Sequence, residues 1–103
     1  SVELAVDVAR LQDDWYERAG RPRRDSSAAR IIPILPAQPI TSAASVRAAI
    51  NARHQRALEG LKVLEAAGVV RQISETTWDK QYAADELFAL LERHEETISM
   101  AAT

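Results

Sequence analysis

Cysteine is absent from this chain. That excludes disulfides and thiolate zinc sites, and it agrees with a reducing, cytoplasmic setting. Aromatic residues are scarce at 5 %, so aliphatic side chains must carry the core. No apolar run is long enough to cross a bilayer, and no positively charged segment precedes an apolar stretch in the manner of a secretion signal. Gly20, Gly60 and Gly68 are the only glycines and stand far apart, so there is no glycine-rich phosphate loop. A basic excess is also missing: the formal charge is −2. Phosphate neutralisation supplies much of the affinity of a DNA-binding domain, so this balance counts against strong DNA binding by the chain as a whole. What remains is 103 residues, 47 % of them hydrophobic, enough for one domain with a modest core. The sequence enters a helical pattern at Ser1, without methionine, as expected if an initiator has been removed or if this is a piece cut from a longer protein.

The patterning is helical for two thirds of the chain. Leu4, Val8, Leu11 and Trp15 recur at steps of three and four, which predicts a helix over residues 2–19 that stops at Gly20. The charged connector "RPRRDSS" follows. Ser26 or Ser27 can cap a second helix with Ala28, Ile31, Ile32 and Leu35 on its apolar side. Pro33 must kink or shorten it, and Pro36 and Pro39 should hold "PAQPI" extended. Thr41 is the next candidate cap, for a helix over 42–50 with Val46 and Ile50 buried. Asn51 tolerates the left-handed conformation that ends a helix. A longer helix is expected over 53–67, with Ala57, Leu61, Leu64 and Ala67 inward and Gly68 just past its end.

The period then changes. "VVRQI" reads as a strand from Val69 to Ile73, and "WDKQYAA" offers a second, with Trp78 and Tyr82 as its large residues. Two strands so close in sequence should pair as a hairpin. Asp85 is the candidate cap of a last helix, where Leu87, Phe88, Leu90 and Leu91 turn inward. The tail "ETISMAAT" should fray. The expected fold is therefore mainly α with a small β-hairpin: a winged helix-turn-helix over 41–96, preceded by two N-terminal helices in a lead-in over 1–40, and followed by a flexible tail over 97–103. Three helices cannot cover their own apolar faces, and the hairpin closes the open side.

Taken in order, these segments resemble the C-terminal region of Fic family proteins, the nucleotidyl-transferring (AMPylating) family. "LAVDVARLQDDWYERAG" is similar to the amphipathic helix that follows the Fic catalytic core. "DSSAARIIPILPAQPIT" is similar to the segment leading into the family's C-terminal winged helix. "ARHQRALEGLKVLEAAGVVRQI" resembles its second helix-turn-helix helix and first wing strand, and "WDKQYAADELFALLE" its second wing strand and closing helix. The likeness covers most of the chain and lies in the order of the segments more than in any one of them. There are departures. The family's catalytic signature, a histidine followed by an acidic, Gly-Asn-rich loop ending in arginine, is absent. "INARH" stands where a Gly-Val-Ser turn is usual, and Pro33 interrupts a helix that is usually continuous. The resemblance implies an accessory module of a longer Fic-like protein, separated from its catalytic core. The full-length protein would transfer AMP from ATP to a target hydroxyl.

Chemistry within the chain itself is sparse. His54 and His94 are the only histidines, and neither has the three or four converging ligands that zinc needs. No nucleophile sits on a strand-turn-helix elbow. The expectation is no catalysis, no cofactor and no metal. Recognition helices contact base edges from their first turns, which here would present the side chains of Arg53, His54, Gln55 and Arg56, with Gly60 beyond them; Lys62 and the wing residue Lys80 are candidates for phosphate. Against this, Glu59 shares the exposed face of the helix, and Glu75 and Asp79 flank the wing. "ERAGRPRR" is the most basic stretch. It reads first as a solvated loop paired with Glu17 and Asp25, and second as a docking surface for an acidic partner or a phosphate contact, to which Arg30 adds. The stripe Leu4, Val8, Leu11, Trp15 reads as core. In a fragment that has lost its neighbour, it becomes an interaction surface and self-association becomes its cover. The functional expectation is a non-catalytic winged-helix module that contacts its upstream Fic domain or another protein, or forms a homodimer. The alternative is a DNA-binding regulatory domain.

Overall fold

The computed structural model describes residues 2–74 and 79–102, with side-chain surroundings for 2–74 and 79–96. Among these residues the chain forms five helices and a small three-stranded antiparallel sheet. The helices are α1 (Val2–Arg18), α2 (Ser27–Ile31), α3 (Ala43–Ile50), α4 (His54–Ala66) and α5 (Asp85–Ala102). The strands are β1 (Ile40–Ser42), β2 (Arg71–Gln72) and β3 (Gln81–Ala83), with β3 in the middle.

The helix boundaries have local causes. Ser26 caps α2 by accepting the Ala29 N–H on its hydroxyl at 3.3 Å. Pro33 then acts as the sequence indicates: α2 ends after five residues and tightens into a 3₁₀ turn over Ile32–Ile34. Asn51 ends α3 in the left-handed region at φ 52°. Gly68, at φ 77°, ends α4. Its N–H donates to the Glu65 carbonyl at 3.0 Å and that of Val69 to the Leu64 carbonyl at 2.9 Å. Val69 and Leu64 are both buried, which completes a Schellman stop with its apolar contact.

Several expectations need correction. "PAQPI" is not simply extended: residues 35–37 turn, and Ile40 opens a strand that the sequence reading lacks. Residue pairs Ile40 and Ala83, Thr41 and Tyr82, Ser42 and Gln81 stand opposite each other. The hairpin is therefore two of three strands, not the whole sheet. The cap of α3 is Ser42, which accepts the Ser45 N–H at 3.3 Å, and not Thr41, whose hydroxyl donates to Gln38. The hairpin strands are shorter than expected. Arg71 and Gln72 face Ala83 and Tyr82, and one more bond runs from the Ile73 N–H to the Gln81 carbonyl. Glu75 and Trp78 lie outside the described residues. Asp85 does not cap α5 from outside but is its first residue, and its carboxylate accepts from Arg71. Where fraying was expected beyond Glu96, α5 continues to Ala102.

One buried cluster joins the five helices and β3. It runs from Trp15 through Ala28, Ile31 and Leu35 to Val46, Ile50, Leu61, Leu64, Tyr82 and Leu87. Residues of the expected lead-in thus share the core of the helices that follow. The tightest approach is α2 on α4. A Cβ added at Gly60 would lie 2.6 Å from Ile31 Cδ1, 2.7 Å from Ser27 Oγ and 2.9 Å from Ser27 Cβ. Alanine is the better helix former by about 1 kcal/mol, but overpacking costs about 1–3 kcal/mol. Gly60→Ala should therefore lower stability in urea denaturation. An unchanged or higher midpoint would mean that α2 is not seated on α4.

Candidate functional site

The front of α4 is set by the packing of its back. Ala57, Gly60, Leu61 and Leu64 are buried, so Gln55, Glu59 and Lys62 face outward at the helical period. Arg53 is the N-cap residue and contributes no side-chain cap bond. His54, Leu58 and Lys62 follow each other at steps of four along one flank. That flank faces the sheet across a groove of about 500 Å³ whose other walls are Ala43 and Ala44 of α3, Tyr82 of β3, Asp79 and Lys80. Tyr82 lies deep in this wall, and burial, with the Glu65 carboxylate nearby, pushes its phenol above the ordinary range.

The structure thus brings together three of the six residues singled out for DNA: His54, Lys62 and Lys80 share the groove. It does not bring in the other three, and Gly60, expected with them, is instead buried against α2 and cannot face DNA. Arg56 is two residues from His54 and so turns to the opposite flank of α4. Gln55 donates to Glu59 at 3.5 Å on the outer face. Arg53 stands at the head of the helix. Arg53, His54, Gln55 and Arg56 are all exposed.

The distribution of carboxylates separates this region from the rest. Arg18 pairs with Asp14 and Glu86, Arg21 with Glu17, Arg23 with Asp25, and Arg71 with Asp85. Hydrogen bonding to Arg71 holds the Asp85 carboxyl below the usual range, and Glu17 raises Arg21 in the same way. The "ERAGRPRR" loop is therefore largely neutralised by its own acids. By contrast, residues 26–58 contain no Asp or Glu. Arg30 there donates to the Ile50 carbonyl, and Arg47, Arg53 and Arg56 have no acidic partner among the described residues. Arg30 reads in the sequence with the basic loop before α2, not with the head of α4, and Arg47 does not stand out in the sequence. The available signal was the run of 33 residues without a carboxylate.

The stripe on α1 must be corrected as an interaction surface. Trp15 is fully buried and cannot take part in one. Leu4, Val8 and Leu11 are half-buried, and Val8 and Leu11 pack against the core. α5 lies antiparallel along this helix: His94 Nε2 is 2.8 Å from Asp7 Oδ2, and Arg18 reaches Glu86. His94, which the sequence left without a local set, thus finds a partner 87 residues away. Among the described residues, no three His, Cys, Asp or Glu converge as metal ligands, and no helix is long and apolar enough to cross a membrane. No protein-family model and no curated protein matches the chain.

Trp15 Nε1 is buried without a hydrogen-bond partner. Trp15→Ala should cost about 3–5 kcal/mol through the cavity it leaves. Trp15→Phe should cost much less, because it leaves a far smaller cavity and the N–H it removes has no partner to lose. Denaturation of the two variants checks this; equal losses would show that the ring of Trp15 does not fill the core.

Proposed function

We propose that this chain is a non-catalytic winged-helix module, the accessory region of a longer, cytoplasmic Fic-like protein, and that it works by contact. The order α2, β1, α3, α4, β2, β3, with β3 between β1 and β2, carries the reading. In a winged helix, the strand between the first and second helices joins the hairpin, and the sheet then closes the open side of the three helices. The Fic assignment rests on the ordered resemblance of the four segments quoted above. The contact surface on this reading is the start of α1, where Val2 and Val6 are exposed next to the half-buried Leu4 and Val8. The upstream catalytic domain is its partner; a homodimer through the same face is the competing arrangement.

The reading frame encoding the residues before Ser1 tests this. It should contain a histidine followed by an acidic, Gly-Asn-rich loop ending in arginine. A frame without that motif would overturn the family assignment and with it the AMP-transferring parent.

A second reading, binding to duplex DNA, is favoured by the carboxylate-free stretch that includes the head of α4. Nonspecific duplex at low salt should retard the chain in a gel, and the shift should fade as salt rises. Replacing Arg53 and Arg56 together by alanine should abolish the shift. Absence of any shift at low salt would end this reading.

A further inference from the structure

The charge of the chain is strongly segregated. Arg30, Arg47, Arg53 and Arg56 give residues 26–58 a formal +4, while the chain as a whole is −2. The fold draws these four residues to one place. Arg30, near the end of α2, donates Nη2 to the carbonyl of Ile50, the last residue of α3. The N–H of Asn51 donates to the Arg47 carbonyl, as does that of Ala52. Arg53 is the N-cap residue of α4 and Arg56 lies in its first turn. All four side chains are exposed. Each belongs to, or is bonded to, the last turn of α3 or the first of α4.

Cations elsewhere have carboxylates beside them. Arg18, Arg21, Arg23 and Arg71 are held in ion pairs, Lys80 follows Asp79, and Lys62 has a glutamate three residues away on both sides, Glu59 and Glu65, where Arg56 has Glu59 on one side alone. We infer that the α3–α4 junction is a phosphate-backbone contact for duplex nucleic acid, made by Arg30, Arg47, Arg53 and Arg56, and that the hairpin side of α4 takes no part in it. This rests on the duplex reading above and replaces its choice of residues.

The chemistry of the junction selects the partner. From Ala43 to Lys62 no large apolar side chain is exposed; Ile40 and Val63 lie just outside. Protein interfaces draw their energy from buried aromatic and aliphatic anchors, and helices that lie on a membrane insert apolar side chains. A surface of guanidinium groups with Asn51 and Gln55 between them has neither. It matches phosphate oxygens, which guanidinium groups bind with paired N–H donors. Glu59, facing outward from the middle of α4, opposes entry of that helix into an acceptor-rich groove. Binding is therefore to backbone, without preference for sequence.

Fluorescence anisotropy with two short duplexes of unrelated sequence tests this. Both should bind equally, with a log–log salt slope of about −3 to −4 for four phosphate contacts. Arg47→Ala and Arg53→Ala should each weaken binding several-fold and reduce the slope by about 1. Lys62→Ala and Lys80→Ala should leave both quantities nearly unchanged. All four side chains are at least partly exposed, and thermal melts check that each variant folds. If Lys62→Ala or Lys80→Ala weakens binding as much as Arg47→Ala, the junction is wrong while duplex binding stands. If polyglutamate or anionic vesicles compete as well as duplex at equal charge, the choice of nucleic acid is wrong. No binding of the unaltered chain at low salt overturns both this inference and the reading on which it rests.

Discussion

The approach of α2 to α4 is so close that no side chain fits between them at Gly60, and the rest of the fold depends on it. With that spacing, Ile31 seats against the back of α4, and Ala28 and Leu35 extend the same apolar surface. Leu61 and Leu64 are then enclosed in the core, with α2 and α3 both packed on α4. A bulkier residue at position 60 would lift α2 and open the core along its length, because close-packed interiors transmit such displacements instead of absorbing them. The glycine also explains how a chain with few aromatic residues holds together. Small residues at the helix crossing bring aliphatic side chains within contact distance, which substitutes for the reach of large rings.

Trp15 and Tyr82 are the large exceptions, and each closes one end of this arrangement. Tyr82 belongs to the central strand, so both neighbouring strands position it: Thr41 stands opposite on one side and Gln72 on the other. Trp15 comes from α1 and anchors that helix near its C-terminal end, where Arg18 also reaches Glu86 of α5. Toward its start α1 has less to hold it: Val2 is 80 % exposed and Val6 42 %. Its contacts there are with α5, through pairs such as Asp7 and His94. The buried half of α1 thus belongs to stability, and only its first turns remain for contact with another protein. This narrows the surface that the bare apolar stripe implied.

Features encoded by local chemistry were legible in the sequence. Stops at Gly20, Asn51 and Gly68, the truncation of α2 by Pro33, and the inward leucines of α4 each follow from residues within one turn of the event. β1 was not legible. Three residues after a proline-rich turn carry no alternation, and they become a strand only because β3 lies beside them and the Ala84 N–H bonds to the Pro39 carbonyl. For the same reason the cap moved from Thr41 to Ser42: the strand runs on through Ser42, so α3 starts one residue later and the last strand residue, still extended, supplies the capping hydroxyl. At the candidate site, the exposure of Arg53, His54, Gln55 and Arg56 could be read from the helical period. The association of Arg30 and Arg47 with them could not, because it arises where separate helices meet.

Net charge misleads for a molecule of this shape. The chain measures 49 × 30 × 22 Å, whereas exposed charges at physiological salt are screened beyond about 8 Å. Acidic residues of α1 and α5 therefore cannot cancel guanidinium groups at the α3–α4 junction unless they lie within that range; Asp13 of α1, which lines the same groove as Arg30, is the one that approaches it, while Asp25 pairs with Arg23 and Glu59 faces outward beside Gln55. A partner approaching the junction experiences the local field, not the total. The overall −2 then has a different consequence. A polyanion that draws too near α1, α5 or the acidic side of α4 is repelled, so on the proposed duplex reading the same charge segregation that favours the junction also limits how much of the surface a long duplex can cover.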